Sequence, residues 1–325
     1  MAAAADLRTP VVLLTGWLGA GKTTLLNRIL AAPAGRRFAV LVNEFGEIGV
    51  DQRLVRRVEE DLVELSNGCV CCTVRGDLVA ALGRLRRRRL AGLLPRRRFD
   101  AVLLETTGVA EPAPLLRTFL VEESIALRYR VATITAVADA AHLDRALAEA
   151  AARDQVALAD LVLLNKADLT ETQALAAAEE RLRRLNPLAP IRRCVRAEAP
   201  VAEILAERPP RPLPAPPAIG GERHGHGDLE TCTLVSEQPL DELRARLWLD
   251  ACARGLAGEL VRWKGFLHLA GRPTAAVLQG TYELYTVEEA GPWPGRPRNE
   301  VVFIGRRLDR AALQRGLEAA SAESG

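Results

Sequence analysis

The stretch VVLLTGWLGAGKTT, residues 11–24, decides the fold of this 325-residue chain. Its first five residues are apolar or β-branched and predict a buried strand. The next eight, GWLGAGKT, match the phosphate-loop pattern G-x-x-x-x-G-K-[ST], and the run Lys22–Ala31 predicts the helix that should follow. A chance glycine-rich turn is the alternative, but it would not require these two flanks. The stretch therefore predicts a nucleoside triphosphate site between a strand and a helix.

The residue types of this loop suit a Mg²⁺-bound triphosphate. Glycines such as Gly16 and Gly21 let backbone N–H groups surround the phosphates, and the helix N-terminus adds its positive dipole end. We expect Lys22 to bridge the β- and γ-phosphates during hydrolysis, and Thr23 to offer its hydroxyl to Mg²⁺.

The rest of the chain alternates strands and helices and then changes character. The predicted strands up to residue 165 are Val11–Thr15, Phe38–Asn43, Leu62–Ser66, Phe99–Glu105, Val131–Val137 and Leu161–Asn165. The predicted helices are Lys22–Ala31, Asp77–Leu90, His142–Ala151 and Glu171–Leu185. Such alternation indicates an α/β fold, a P-loop NTPase with a doubly wound, mainly parallel sheet, whose ligands bind at the carboxyl ends of the strands.

A proline- and glycine-rich stretch divides the chain. Residues 1–207 are predicted to form the P-loop domain, residues 208–228 a linker, and residues 229–325 a smaller α+β domain. The predicted elements of that domain are strands Thr231–Val235, Val261–Leu269, Ala275–Glu283 and Val301–Ile304, a helix Leu240–Leu256, and a closing helix from Arg310.

Asn165-Lys166-Ala167-Asp168 follows the last strand of the P-loop domain and favours guanine. A carboxylate at Asp168 can accept the N1 and N2 hydrogens of guanine, and adenine has no such pair of donors. Asn165 can hold the loop or contact the base, and the stem of Lys166 can lie on the ring. A helix cap by Asp168 is the alternative.

Two further segments fit hydrolysis. Glu105 ends an apolar strand and can hold a Mg²⁺-bound water, and Gly108 can bring its backbone close to a γ-phosphate. The alternative is a strand-ending Glu that caps a turn. The acidic, glycine-punctuated loop Asn43–Asp51 is expected to become ordered around the γ-phosphate, although its carboxylates could equally be solvated.

Cys69, Cys71 and Cys72 crowd into four residues after the strand predicted at residues 62–66. Three thiols on one loop can bind one soft cation, Zn²⁺ or Co²⁺, with a fourth ligand from a carboxylate, a histidine or water. Buried small hydrophobic residues and a redox dithiol are the alternatives. The widely spaced Cys194, Cys232 and Cys252 are expected to be structural.

Composition excludes several classes of function. A net charge of +3 argues against nucleic acid as the partner, and no apolar run is long enough to span a bilayer. No secretory signal is recognisable, so the sequence predicts a cytoplasmic protein that does not bind membranes. The dense arginines at residues 84–98 are interpreted as a solvated helix face, with docking of an acidic client as the alternative.

Taken in order, GWLGAGKTT, NEFGEIGVD, NGCVCC, LETTGVAEP and NKAD resemble the CobW-type metallochaperone GTPase family. Residues 263–266 and 303–305 resemble its second domain more loosely. The resemblance implies GTP hydrolysis coupled to delivery of a transition metal, Zn or Co, to a client metalloenzyme or metal-insertion complex. The residues implied to bind GTP are Gly16, Gly19, Ala20, Gly21, Lys22, Thr23, Thr24, Gly108, Asn165, Lys166 and Asp168.

The same resemblance assigns the remaining roles and leaves a different function open. It implies catalysis by Lys22 and Glu105, Mg²⁺ binding by Thr23 and Glu105, and transition-metal binding by Cys69, Cys71 and Cys72. The family's histidine-rich segment is reduced here to His224 and His226, which puts metal storage in doubt but not transfer. The alternative is a regulatory GTPase whose cysteines sense redox state or are structural, and an ATP-dependent kinase is a third reading that Asp168 disfavours.

Overall fold

The computed structural model describes residues 6–33, 35–42, 62–64 (backbone only), 78–83, 85, 99–206, 229–293 and 295–322. Contacts between Cα atoms divide the chain into two compact units. One comprises Met1–Glu179 with Pro190–Glu207, and the other Glu180–Ala189 with Arg208–Gly325. The predicted linker, with His224 and His226, lies outside the described residues, and its boundaries stay a prediction.

The first unit is built on a parallel sheet of strands β1–β7, in the spatial order β3-β2-β4-β1-β5-β6-β7. The strands are β1 Thr9–Thr15, β2 Phe38–Val42, β3 Leu62–Glu64, β4 Ala101–Glu105, β5 Tyr129–Asp139, β6 Leu161–Asn165 and β7 Ile191–Arg193. This confirms the predicted α/β fold with a parallel sheet. The strands β2, β4 and β6 are buried along their whole length, because helices cover both faces of such a sheet.

Helices connect the parallel strands of this sheet. They are α1 Lys22–Ala31, a segment at 78–83, α2 Pro112–Val121, α3 Glu123–Ala126, α4 Leu143–Leu147, α5 Ala150–Leu158, α6 Thr172–Leu185 and α7 Val201–Ile204. The fully buried Leu25, Leu26 and Ile29 of α1 pack into one cluster with residues of β1, β2 and β4. This packing fixes the start of α1 next to the carboxyl ends of β1 and β4.

The single helix predicted over His142–Ala151 was wrong. A 3₁₀ turn at Ala140–His142 leads into α4, and Glu149, with φ −89° and ψ 133°, is extended and separates α4 from α5. The Arg153 guanidinium donates to the carbonyl oxygens of Leu147 and Ala148, both at 2.8 Å. Those carbonyls have lost their helical partners at the break, so the arginine satisfies them.

The second unit contains an antiparallel sheet of five strands in the order β11-β10-β9-β12-β8. The elements are β8 Leu229–Ser236, α8 Glu242–Ala253, β9 Glu259–Leu267, β10 Thr274–Thr281, β11 Leu284–Pro292, β12 Asn299–Arg306 and α9 Arg310–Ala319. Trp263 and Phe303 are fully buried at its centre. The predicted strand Ala275–Glu283 ends at Thr281, because a two-residue turn with Tyr282 at φ 52° leads into β11, which was not predicted.

The helix predicted over Leu240–Leu256 is shorter at both ends. The Asp241 carboxylate accepts a hydrogen bond from Arg244 N at 2.8 Å and caps α8, which therefore begins at Glu242. The predicted closing helix is α9, and Asp309 caps it in the same way through Ala312 N.

In the part of the chain that the structure describes, no helix is long and apolar enough to cross a bilayer.

Candidate functional site

The phosphate loop turns sharply between β1 and α1 because its glycines adopt backbone conformations that other residues avoid. Gly16, Gly19 and Gly21 have φ values of 136°, 71° and 112°. A Cβ on Gly16 would lie 2.1 Å from Val137 O of the neighbouring strand β5. A Cβ on Gly21 would lie 2.5 Å from Asn165 Nδ2. The loop therefore fits against the ends of β5 and β6 only without side chains at these positions.

Lys22 lies at the first position of α1, and its side chain reaches back across the loop. Its Nζ donates to Trp17 O at 3.2 Å, and the residue is only 8% exposed. The Ala20 N–H also donates to Trp17 O, and Leu25 N–H donates to Gly21 O. The ammonium group thus lies against the backbone of the phosphate loop, next to the N-terminus of α1, and a positive charge beside a helix N-terminus suits an anion. Thr24 is exposed on the same turn of α1.

Thr23 and Glu105 meet at the carboxyl ends of the strands. Thr23 Oγ1 donates to Glu105 Oε1 at 2.7 Å, and Glu105, the last residue of β4, is 3% exposed. Strand pairing places Glu105 beside Leu14 of β1, one residue before Thr15. These are hard oxygen atoms of the kind that Mg²⁺ binds.

The turn after Glu105 is held from two sides. An added Cβ on Gly108 would lie 2.5 Å from Leu18 N, so the turn approaches the phosphate-loop backbone closely. On the other side, Gln155 Nε2 donates to Gly108 O at 3.0 Å and to Ala110 O at 3.1 Å. Gln155 is a buried residue of α5 that the sequence reasoning missed. No local pattern distinguishes it, because the neighbouring Arg153 and Asp154 are polar as well and are also buried.

Asn165 connects the guanine motif to the phosphate loop. Its Nδ2 donates to Ala20 O at 2.8 Å, and its Oδ1 accepts from Ala197 N at 2.7 Å. The residue is 2% exposed, so its amide belongs to the framework of the site. The structure favours the loop-holding alternative for Asn165 over base contact, because both ends of its amide are engaged. Asp168 is exposed in the turn Ala167–Leu169.

Lys166 adopts a left-handed backbone with φ 59°, and Asp139 binds its ammonium group. Lys166 Nζ lies 2.6 Å from Asp139 Oδ2, which also accepts from His142 Nδ1 at 3.0 Å, while Asp139 Oδ1 accepts from Ala141 N at 3.0 Å. Burial acts to raise the pKa of Asp139, but the hydrogen bonds from Lys166 and His142 outweigh it and hold the pKa below its ordinary value. Sequence reasoning identified neither Asp139 nor His142 as part of the site.

The predicted transition-metal ligands Cys69, Cys71 and Cys72 lie outside the described residues, as does the loop Asn43–Asp51. Across the ranges the structure does describe, no cluster of three or more His, Cys, Asp or Glu could hold a metal ion. Cys194, Cys232 and Cys252 are buried free thiols. Burial raises the pKa of Cys194 to about 11 and that of Cys252 to about 12, which makes them poor ligands and nucleophiles near neutral pH.

Comparison with protein families places both parts of the chain. The CobW/HypB/UreG nucleotide-binding domain matches residues 10–193, and the cobalamin synthesis protein CobW C-terminal domain matches residues 229–321.

Individual relatives match over nearly the whole length. Zinc chaperone YjiA of Escherichia coli is 33% identical over 314 residues, with 94% of this chain and 96% of that protein covered. Zinc chaperone CobW of Pseudomonas aeruginosa is 31% identical and covers 97% of this chain and 92% of its own. The crystal structure of Zn(II)-bound YjiA GTPase from E. coli superposes with a TM-score of 0.76 at 28% identity, over 97% of this chain and 99% of that one.

Proposed function

This chain belongs to the CobW/HypB/UreG family and is a GTPase, and we propose that it binds a transition metal through Cys69, Cys71 and Cys72 and delivers it to a client protein while it hydrolyses GTP. The observation that most directly supports the hydrolysis of GTP is the convergence of Lys22, Thr23, Glu105 and Asn165 at one edge of the sheet. Two relatives that match over nearly the whole chain are named zinc chaperones. We therefore propose zinc as the metal and cobalt as the second candidate.

Hydrolysis converts GTP and water to GDP and phosphate, and each residue has a role that follows from its position. The Lys22 ammonium moves from Trp17 O to the β- and γ-phosphates, where it offsets negative charge. The amides between Gly16 and Thr24 surround the phosphates, and the Gly108 N–H reaches the γ-phosphate. Thr23 and Glu105 hold Mg²⁺, which when bound neutralises charge that develops on the phosphates.

The guanine base binds at the edge of the sheet where β5 and β6 end. Asp168 accepts both guanine hydrogens, and its exposure leaves it accessible to a nucleotide. The Lys166 stem covers the ring while Asp139 holds its ammonium group. Asn165 fixes this edge to the phosphate loop through Ala20 O, so one rigid framework presents both ends of the nucleotide site.

The metal cargo is coupled to the nucleotide. GTP orders the Asn43–Asp51 loop and brings the cysteine loop into a metal site with three thiolates and a fourth ligand. Loss of the γ-phosphate then releases the metal to the client. Linkage requires that the metal strengthen GTP binding by the same factor by which GTP strengthens metal binding.

A competitive metal titration at buffered free zinc and cobalt tests this proposal. The protein should bind the metal more tightly with a non-hydrolysable GTP analogue than with GDP, by about fivefold or more. Equal affinities with both nucleotides would refute the coupling. Transfer to an apo-metalloenzyme should quicken when GTP is hydrolysed, and a Lys22→Ala variant should abolish that gain.

Paired cysteine variants separate cargo binding from a structural or redox role. Cys71→Ala with Cys72→Ala should lose metal binding yet keep GDP affinity. Cys232→Ala with Cys252→Ala is the matched control, because these thiols are buried in the second unit. Metal-free protein after purification with a reductant and added zinc would favour the redox alternative.

A further inference from the structure

The turn that follows Glu105 is fastened to a helix by one side chain, Gln155. Its two amide hydrogens go to Gly108 O at 3.0 Å and Ala110 O at 3.1 Å. The Ala110 N–H donates to Thr107 O, so the segment is a closed turn whose carbonyls point toward α5. One amide group therefore fixes two peptide carbonyls of the turn, those on either side of Val109.

The orientation of this amide is set by its partners. If oxygen and nitrogen were exchanged, Gln155 Oε1 would face two carbonyl oxygens and donate nothing, which is repulsive. In the observed orientation, with the nitrogen toward the carbonyls, Oε1 is buried without a hydrogen-bond partner in the described part of the chain, and the residue is 1% exposed. A leucine or methionine would fill the same volume without burying an unmatched oxygen, so helix packing does not explain a glutamine here.

The opposite side of the turn lies against the phosphate loop. An added Cβ on Gly108 would lie within 2.7 Å of Leu18 Cα and Cδ2, and the Thr106 N–H donates to Leu14 O of β1 at 3.0 Å. The turn is thus confined between the loop that holds the phosphates and the helix that carries Gln155. A small displacement of either carbonyl changes the distance from Gly108 N to a γ-phosphate.

We propose that Gln155 is a positioning residue that holds the Thr107–Ala110 turn so that the Gly108 N–H distinguishes GTP from GDP. This rests on the proposed function, in which Gly108 contacts the γ-phosphate. Gln155 is 1% exposed and both of its amide hydrogens go to the turn, so it acts through the turn. Because GDP lacks the γ-phosphate, the effect of Gln155 is specific to the triphosphate state.

The test compares two nucleotides on the full chain. In Gln155→Met, which keeps length but donates nothing, affinity for a non-hydrolysable GTP analogue and kcat for GTP should each fall by about tenfold or more. GDP affinity should stay within about twofold. In Gln155→Glu, which presents acceptors to the same carbonyls, the affinity for the GTP analogue and kcat should both fall further. Gln173→Met is the matched control, since Gln173 is exposed on α6 of the same unit.

The outcomes distinguish a failure of the role of Gln155 from a failure of the proposed function. Equal losses for GTP analogue and GDP, or no loss for either, would overturn the role of Gln155. Wild-type protein that binds neither nucleotide would overturn the proposed function and this inference with it. If Gln155→Met is too unstable to titrate, amide hydrogen exchange of residues 106–111 is measured in Gln155→Glu. Faster exchange of these residues than in the wild type, with exchange of β1 unchanged, supports the role of Gln155. Unchanged exchange of residues 106–111 overturns it.

Discussion

Thr23 Oγ1 donates a hydrogen bond to Glu105 Oε1 across 2.7 Å, which joins the first turn of α1 to the end of β4. In Glu105→Gln the shape of this contact is kept, but the negative charge that attracts a divalent cation is lost. We expect GTP turnover to fall by about 100-fold or more, equivalent to about 3 kcal/mol in the barrier. GDP affinity without Mg²⁺ should change little. Turnover measured against Mg²⁺ concentration checks this.

Glu111→Gln is the control for that experiment, because Glu111 is exposed just before α2 and makes no side-chain cap hydrogen bond. Its turnover should match the wild type. If Glu105→Gln keeps its Mg²⁺ dependence, Glu105 ends the strand without a role in the metal site, which was the alternative left open by the sequence.

Asp168→Asn should change which base is bound. The amide offers one acceptor and one donor in place of two acceptors, so it matches N1–H and the C2 oxygen of xanthine. GDP affinity should fall by about tenfold to hundredfold, and affinity for xanthosine diphosphate should rise. Nucleotide competition assays measure both. Asp144→Asn, at an exposed position of α4, should alter neither affinity. A variant of Asp168 with unchanged GDP affinity would contradict recognition of guanine by this residue.

Asp139→Asn should weaken GDP and the GTP analogue together, because the Lys166 it binds belongs to the base edge and not to the γ-phosphate. We expect a loss of about tenfold for each. An equal loss of affinity for both nucleotides distinguishes the role of Asp139 from that of Gln155, whose substitution should affect the triphosphate alone. A selective loss for the triphosphate alone would contradict the assignment.

The same carboxylate gives a pH dependence with a definite sign. Its pKa is lowered in the folded protein, so the stability that it contributes is complete above the ordinary Asp pKa of about 4. That contribution is lost as the pH falls through the lowered value. The difference in unfolding free energy between wild type and Asp139→Asn, from urea titrations, should therefore be largest above about pH 4 and shrink below it.

The sequence alone predicted those parts of the fold and of the site that depend on a local pattern of residues. The phosphate loop, its flanking strand and helix, and Glu105 at a strand end follow from apolar runs and motif spacing within a few residues. The predicted helix Leu240–Leu256 was too long because periodicity alone does not show where Asp241 caps. The break at Glu149 depends on Arg153 reaching Leu147 O and Ala148 O, and a helical pattern contains no sign of that.

The supporting residues of the site were harder to foresee. Asp139 and Lys166 are 27 residues apart, and Gln155 and Gly108 are 47 apart, so only the pairing of β5 with β6 and the packing of α5 bring them together. For Asp139 the available signal was a polar residue at the end of an apolar stretch, whereas Gln155 follows Arg153 and Asp154 and has no such signal. In both cases the partner depends on the fold.

Gly16→Ala should destabilise the first unit. The residue has φ 136°, and an added Cβ would lie 2.1 Å from Val137 O, which belongs to the backbone of β5 and cannot rotate away. We expect a loss of about 2 kcal/mol or more in unfolding free energy. Gly83→Ala is the contrast: Gly83 lies in the helical segment 78–83, and among the described residues no atom lies within 4 Å of the new Cβ, so this substitution should stabilise by about 0.5–1 kcal/mol. Urea unfolding of both variants decides.

Cys194, Cys232 and Cys252 should resist alkylation in the folded protein. Burial raises the pKa of each thiol, to about 11 for Cys194 and about 12 for Cys252, so the reactive thiolate is scarce at pH 8. We expect iodoacetamide to label these three at least about 100-fold more slowly than it does after unfolding in urea, read by mass spectrometry of peptides. Zinc bound to Cys69, Cys71 and Cys72 would protect the peptide containing them without changing the other three. Rapid labelling of Cys252 in folded protein, or zinc protection of Cys194 in place of residues 69–72, would contradict the assignment of structural and metal-binding thiols.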